Sequence, residues 1–372
     1  MKSKQHIGTS VVHAGVPAPE QGHPFVESPT FASTYHLSGD TENAQHQYAR
    51  FSNPTWQALE TGLSELEGGE TVIFPSGMAA AAAILSSLVS SGDTLVLPAD
   101  GYFATRAYAL EFLTPNGVNV QLVPTLELLD FDYTHVRMVL IETPSNPLLD
   151  VVDISALSAK VHAAGGLLAI DNTTLTMLGQ QPLALGADIS MAADTKALNG
   201  HSDVVFGHVS AKDTTLIERI RLWRKLAGNI PGPMETWLVH RGLATLDLRL
   251  ERMTASAQQV AEMLVQHSAV KYLRYPGLTS DPSHAIAQKQ MDHFGFIISF
   301  DLSSQALADK FLQTCSILFE ATSFGGVHTM AERRARWGTD DVPEGLVRLS
   351  VGCERVEDIL AGIEKALAGL ED

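Results

Sequence analysis

The stretch LLAIDNTTLTMLGQQPLALGADISMAADTKALNGHSDVVFG, residues 167–207, decides how the chain folds. It opens on an apolar run that ends abruptly in Asp171. A second strand-like run, ADISM (187–191), leads to Lys196, and a third, DVVFGHV (203–209), follows. Short apolar runs bounded by turn residues read as buried strands. Charged residues just past such strands lie where open α/β sheets bind their ligands, at the strands' carboxyl ends.

The same texture extends outward. TVIF (71–74), TLVL (94–97), VNVQLV (118–123) and RMVLIE (137–142) are strand candidates, and helical pattern fills gaps such as 155–164. This alternation predicts an α/β fold with a mostly parallel sheet covered by helices. Residues 1–58 are rich in Gly, Pro, Ser, Thr and His and show little periodicity. They read as an extended arm, and an arm of that length is expected to wrap a neighbour. Residues 59–245 are expected to form the large domain. The stretch 236–267 reads as one long helix joining it to a smaller α+β domain, 246–372. Strands are expected there at 294–301 and 346–351, with helices near 304–314 and 356–369.

Bulk composition agrees. A chain of 372 residues with 45% hydrophobic content is long enough for two structural units. The formal net charge of −17, with no Lys/Arg-rich run, argues against a nucleic-acid partner. No stretch reaches the ~18 consecutive apolar residues of a membrane span, and the start MKSKQHIGTSVVHAG lacks an apolar signal core. The expectation is a cytoplasmic protein with no membrane partner. Cys315 and Cys353 belong to no C-x-x-C pair and read as reduced thiols. The 14 histidines show no metal-ligand spacing, so no metal is expected.

Three features carry chemistry. PSGMAAAAAIL (75–85) follows a strand and opens an alanine-rich helix. The backbone N–H groups of its first turn lack intrahelical partners, and Gly77 lets a ligand come close. That suits a phosphate, although a capped helix start with no ligand reads the same way. Asp171, at the end of a buried strand, requires a partner, either a structural one or a cationic ring nitrogen. Lys196, 25 positions later, is either an exposed lysine or one desolvated into a nucleophile. Taken together and in this order, the three match the needs of pyridoxal 5′-phosphate: a phosphate cradle, an aspartate for the pyridine nitrogen and a lysine for the Schiff base.

The chain resembles the Cys/Met-metabolism family of pyridoxal-phosphate enzymes, which includes cystathionine γ-lyases, cystathionine γ-synthases and methionine γ-lyases. The likeness runs from about residue 9 to 370 through YARFSNPT (48–55), FPSGMAA (74–80), IETPSNPLLDVVDI (141–154), AIDNTT (169–174), DTKALNGHSDVVFG (194–207), RGLATLDLR (241–249), SFGGVHT (323–329) and VRLSVGCE (347–354). It implies an aspartate-aminotransferase-like architecture, fold type I. It implies that Lys196 carries the cofactor and shuttles protons, and that Asp171 pairs with the pyridine nitrogen. Gly77, Met78, Thr195 and Thr173 hold the cofactor, Tyr102 stacks on its ring, and Glu142 and Asn146 border it. Arg348, beside Ser323, takes the substrate α-carboxylate. Tyr48 and Arg50 reach a neighbouring subunit's phosphate, so the site is shared in a homo-oligomer, a dimer of dimers. The implied activity is α,γ-elimination of cystathionine. The alternatives are γ-replacement on an O-acylhomoserine, methionine γ-elimination, or a catalytically idle binding protein of the same fold.

The chain also departs from the family pattern. Ala193 stands where most members have a serine that helps hold the phosphate, and Ala197 replaces a tyrosine. Phe103 and Ala104 replace two glycines, and methionine γ-lyases carry a cysteine at the position of Ala104. Arg106 is one place closer to Tyr102 than the usual arginine and is expected to meet a distal carboxylate. His328 replaces a glutamate that recognises the distal amino group in cystathionine enzymes.

Overall fold

The structure, a computed structural model, describes residues 5–370. Seven short apolar runs become strands: β1 (Glu70–Phe74), β2 (Thr94–Pro98), β3 (Asn119–Val123), β4 (Val136–Glu142), β5 (Leu167–Asp171), β6 (Ile189–Ala192) and β7 (Gly207–Ala211). They form one sheet in the order β1-β7-β6-β5-β4-β2-β3. The pairs among β2 to β6 are parallel, and only β7 runs against its neighbours β1 and β6. The central strands are buried along their length because both sheet faces are covered.

The helices follow from local signals. A short α1 (Ile7–His13) lies in the arm. In α2 (Pro54–Glu67) the Asn53 side chain caps Thr55 N, proline occupies the first position, and Gly68 ends the helix in the left-handed region. Helix α2 therefore runs through the expected arm boundary at 58. Ser76 caps α3 (Gly77–Leu88), whose alanines sit in a tightly packed layer against the sheet. After α4 (Phe103–Tyr108), α5 (Ile154–Ala163), α6 (Thr176–Gly179) and α7 (Thr214–Ala227), the sheet is enclosed, with α3 and α7 on one face and α5 on the other.

The smaller unit is built on β8 (Tyr272–Arg274), β9 (Ile297–Asp301), β10 (Phe319–Glu320), β11 (Met330–Arg333) and β12 (Leu346–Ser350), in the order β10-β11-β12-β9-β8. A large apolar core joins this sheet to α8 (Pro233–Leu243), α9 (Leu246–Leu264), α11 (Gln305–Thr314) and α12 (Val356–Ala368), while α10 (His284–Gln290) helps fill a lesser cluster. Among the described residues, no helix is long and apolar enough to cross a membrane.

Two elements differ from the sequence reading. The expected helix 236–267 is two helices, broken at Ala244–Thr245. The Gly242 carbonyl is drawn out of the helical ladder by the Arg249 guanidinium and the Thr245 hydroxyl. The expected strand at 203 begins at Gly207. Just before it, both the N–H and the carbonyl of Phe206 are taken by Thr195.

Candidate active site

The carboxyl ends of β4, β5 and β6 open into a cavity of about 440 Å³. Parallel pairing sets Glu142 and Asp171 side by side, the last residues of β4 and β5. Asp171 accepts from the Thr173 N–H (3.0 Å) and hydroxyl (2.5 Å). The same Thr173 oxygen accepts from Ala193 N at 2.8 Å, which ties the aspartate to the lysine turn. Burial pushes the Asp171 carboxyl up, against the pull of Thr173, Lys196 and His208. Burial and the adjacent Asp171 carry Glu142 well above the usual carboxylate range.

Lys196 lies in the turn after β6. Its Nζ donates to Ser323 Oγ at 2.7 Å and stands 4.8 Å from the centre of the Phe324 ring. Burial, aided by the Arg348 guanidinium, pulls the amine down to about 8, although Glu332, Glu142 and Asp171 resist. Ser323 is held at φ +81, a conformation that side chains rarely adopt and that costs ~1–3 kcal/mol. In this pose its hydroxyl meets Lys196 while its carbonyl accepts from Arg348 (2.9 Å). Gly325, at φ +80, leaves no room for a side chain: a Cβ there would come within 2.5 Å of Ala197 N.

Arg348, in the middle of β12, also donates to Asn146 Oδ1 (2.8 Å) and Glu332 Oε1 (2.5 Å). Glu332 faces it across the β11–β12 ladder and also accepts from Arg334 (2.7 Å) and Trp337 (2.8 Å). Arg334, Trp337 and Thr339 line the wall opposite Lys196's turn together with Tyr102 and Phe103. Burial, then Glu142 and Asp171, raise the Tyr102 phenol. At the other end, Ser76 spends its hydroxyl on Ala79 N, and Gly77 and Met78 face the cavity at the start of α3. A Cβ on Gly77 would fall 2.5 Å from that of Ala193, so the helix start is pressed against the lysine turn.

The model of the Cys/Met metabolism PLP-dependent enzymes matches residues 8–368. This chain belongs to that family. A Streptomyces coelicolor protein provisionally named a cystathionine gamma-lyase is 47% identical over 97% of this chain and 93% of its own. A cystathionine beta-lyase of Lactococcus lactis subsp. cremoris is 40% identical over 97% of this chain and 98% of its own. Among solved structures, the cystathionine gamma synthase of Xanthomonas oryzae pv. oryzae in complex with cystathionine superposes with a TM-score of 0.95. It is 32% identical, and the match covers 99% of each chain.

The residues present fit this family's cofactor, pyridoxal phosphate. A buried aspartate whose charge is disfavoured suits a cationic ring nitrogen, and a desolvated lysine lines the same cavity. The start of α3 presents unpaired N–H groups where a phosphate would sit. The family's members also allow a sharper account of each expected site residue. Lys196, Asp171, Gly77, Met78, Thr173, Thr195, Tyr102, Asn146, Glu142, Arg348 and Ser323 all line the cavity. Two of them have other employment: the Thr195 hydroxyl donates to Phe206 O, and Thr173 holds Asp171.

Arg106 and His328, expected to meet the substrate's distal groups, are not among the residues that line this chain's cavity. Arg106 donates to the carbonyls of Ala99 (2.5 Å) and Thr339 (3.1 Å), a strap between α4 and the far wall. His328 is exposed and packs edge-on against Phe319, 5.4 Å away. Tyr48 and Arg50 lie on the arm, away from this chain's own cavity, where Arg50 donates to Lys225 O. Sequence reasoning missed Arg334, Trp337 and Thr339. The cationic cluster ERRARW (332–337) in an acidic chain was the available signal.

Proposed function

We propose that the protein is a cystathionine γ-lyase, converting cystathionine and water to cysteine, 2-oxobutanoate and ammonia. The observation that carries this reading is the placement of Lys196 Nζ, desolvated and held by Ser323 in a cavity that Asp171, Glu142 and Arg348 also line. Pyridoxal phosphate, when bound, supplies the electron sink that lets a proton leave the amino acid's α-carbon. Asp171 favours the charged ring nitrogen on which that sink depends. Gly77 and Met78 hold the phosphate through backbone N–H groups, and Tyr48 and Arg50 of a second subunit complete the grip. Arg348 binds the α-carboxylate with its planar fork. Lys196 takes the α-proton and then moves protons between neighbouring carbons, a role suited to an amine on a flexible stem. Tyr102, which lines the cavity, would assist the chemistry near the leaving group.

The γ-lyase assignment draws on the Streptomyces coelicolor relative. A second reading, γ-replacement on an O-acylhomoserine, draws on the fit to the Xanthomonas synthase. The deciding experiment offers the purified enzyme cystathionine, methionine, and O-succinyl- and O-acetylhomoserine, with and without cysteine. Release of 2-oxobutanoate from cystathionine is expected. Pyruvate in its place would indicate β-elimination, and cysteine-dependent cystathionine formation without 2-oxobutanoate would indicate the synthase.

A further inference from the structure

Asp194 lies two residues before Lys196 and turns the other way. Ala193, Thr195 and Lys196 line the cavity, whereas Asp194, the first residue of the turn, does not and is directed at His208 of β7 instead. There its Oδ1 meets His208 Nδ1 at 2.7 Å, and His208 Nε2 meets Glu67 Oε1 at 3.1 Å. All three side chains are inaccessible to solvent. His208 is paired with Ala192 across the β6–β7 ladder, directly beneath the end of the strand that delivers the lysine. Glu67 is the last residue of α2. Asp194 Oδ2 and Glu67 Oε2 are buried with no hydrogen-bond partner among the described residues, so each carboxylate depends on the one imidazole.

We propose that Glu67, His208 and Asp194 form a positioning unit that fixes the Lys196 turn and thereby sets the protein's grip on pyridoxal phosphate. Burial opposes a charge on His208, but Asp194 and Glu67 outweigh it and carry the imidazole up to about 10. Burial raises the Asp194 carboxyl as well, so its hydrogen bond to His208 is the contact that holds it. The His208 imidazole also favours the ionised form of Asp171, two strands away on β5. A buried ionic group is weak support for stability, since apolar residues of similar volume serve as well or better. Its geometric consequence is specific: the Asp194 carbonyl accepts from Asn199 N at 2.9 Å, so fixing Asp194 fixes both ends of the turn that holds Thr195 and Lys196. The proposal rests on the family's cofactor and is independent of which substrate is turned over.

The test replaces the whole unit by apolar residues, Glu67→Met/Asp194→Ala/His208→Leu, which leaves no buried charge unpaired. Apoenzyme is titrated with pyridoxal phosphate and followed by visible absorbance and visible circular dichroism, with Tm measured alongside. The expected result is a Tm close to that of the unaltered protein, cofactor affinity about tenfold weaker, the scale seen when an outer support of a bound group is removed, and an altered visible dichroism. Unchanged affinity and dichroism would overturn the proposal. So would affinity that falls only in step with Tm, which a merely structural network would produce. Should the triple variant not fold, His208→Gln is read by the same titration. It keeps one donor toward Asp194, so a severalfold weakening is expected, and unchanged affinity overturns the proposal.

Discussion

Lys196 is one of 25 Lys and Arg side chains, and its surroundings alone set it apart. Its folded-state pKa, about 8, lies below the ordinary lysine value of 10.5. Below that pH the amine is protonated and cannot attack an aldehyde; above it the amine is neutral. The rate at which apoenzyme takes up pyridoxal phosphate should therefore rise with pH, with a midpoint near 8, when followed by the bound cofactor's visible band. A midpoint near that of an exposed lysine would show that the amine is not desolvated. Glu332 governs the opposite wall. Glu332→Gln leaves Arg348 and Arg334 buried and short of their shared counter-charge, a change that costs ~3–5 kcal/mol. Thermal unfolding should show that loss, and steady-state kinetics should show KM rising by more than kcat falls, because Arg348 loses its bearing. Asp171 and Lys196 were legible in the sequence because each follows an apolar run. Glu332 was not, since its value comes from facing Arg348 in a pairing between strands that no local pattern announces.

At the scale of elements, the lysine turn is clamped from two sides. On one side stand Asp194 and His208; on the other Arg249 of α9 donates to the carbonyls of Ala197, Leu198 and Gly242. These bonds also break the long helix that the periodicity of 236–267 suggests, since Gly242's carbonyl answers to Arg249. Helical spacing was readable there, but the break was not, because it is made by Arg249 and Thr245 side chains whose orientation the periodicity does not show, Arg249 being held by the lysine turn. The same physics moved the start of β7: Val204 and Phe206 are apolar and buried as a strand's would be, yet the backbone of Phe206 serves Thr195. Arg249→Met should remove four charge-assisted bonds, two of them to the lysine turn, while keeping much of the side chain's volume. The expectation is a loss of ~3 kcal/mol or more in denaturant unfolding, with weaker cofactor retention on dialysis. Unchanged retention would mean that the turn stands without this clamp.

At the scale of the whole molecule, the α/β class and most strand positions were visible in the alternation of apolar runs. The arm was visible only as a lack of pattern, and its destination is not contained in one chain. Phe25 and Phe31 are 79% and 69% exposed on it, too much apolar surface to leave in water without purpose. We propose that a second copy covers them and that the two cavities exchange Tyr48 and Arg50. Lys196→Ala and Arg50→Ala should each be nearly inactive alone. Dissociated together and reassociated, they should recover about a quarter of full activity, because half the pairs are mixed and each mixed pair has one complete site. No recovery would mean that each chain serves its own cavity. The chemistry turns on one lysine, and its attachment to the cofactor can be read directly. The enzyme loaded with pyridoxal phosphate is reduced with borohydride, digested and analysed by mass spectrometry. A single phosphopyridoxyl group is expected, on the peptide carrying Lys196. A label on another lysine, such as Lys212 or Lys225, or no label at all, would contradict it.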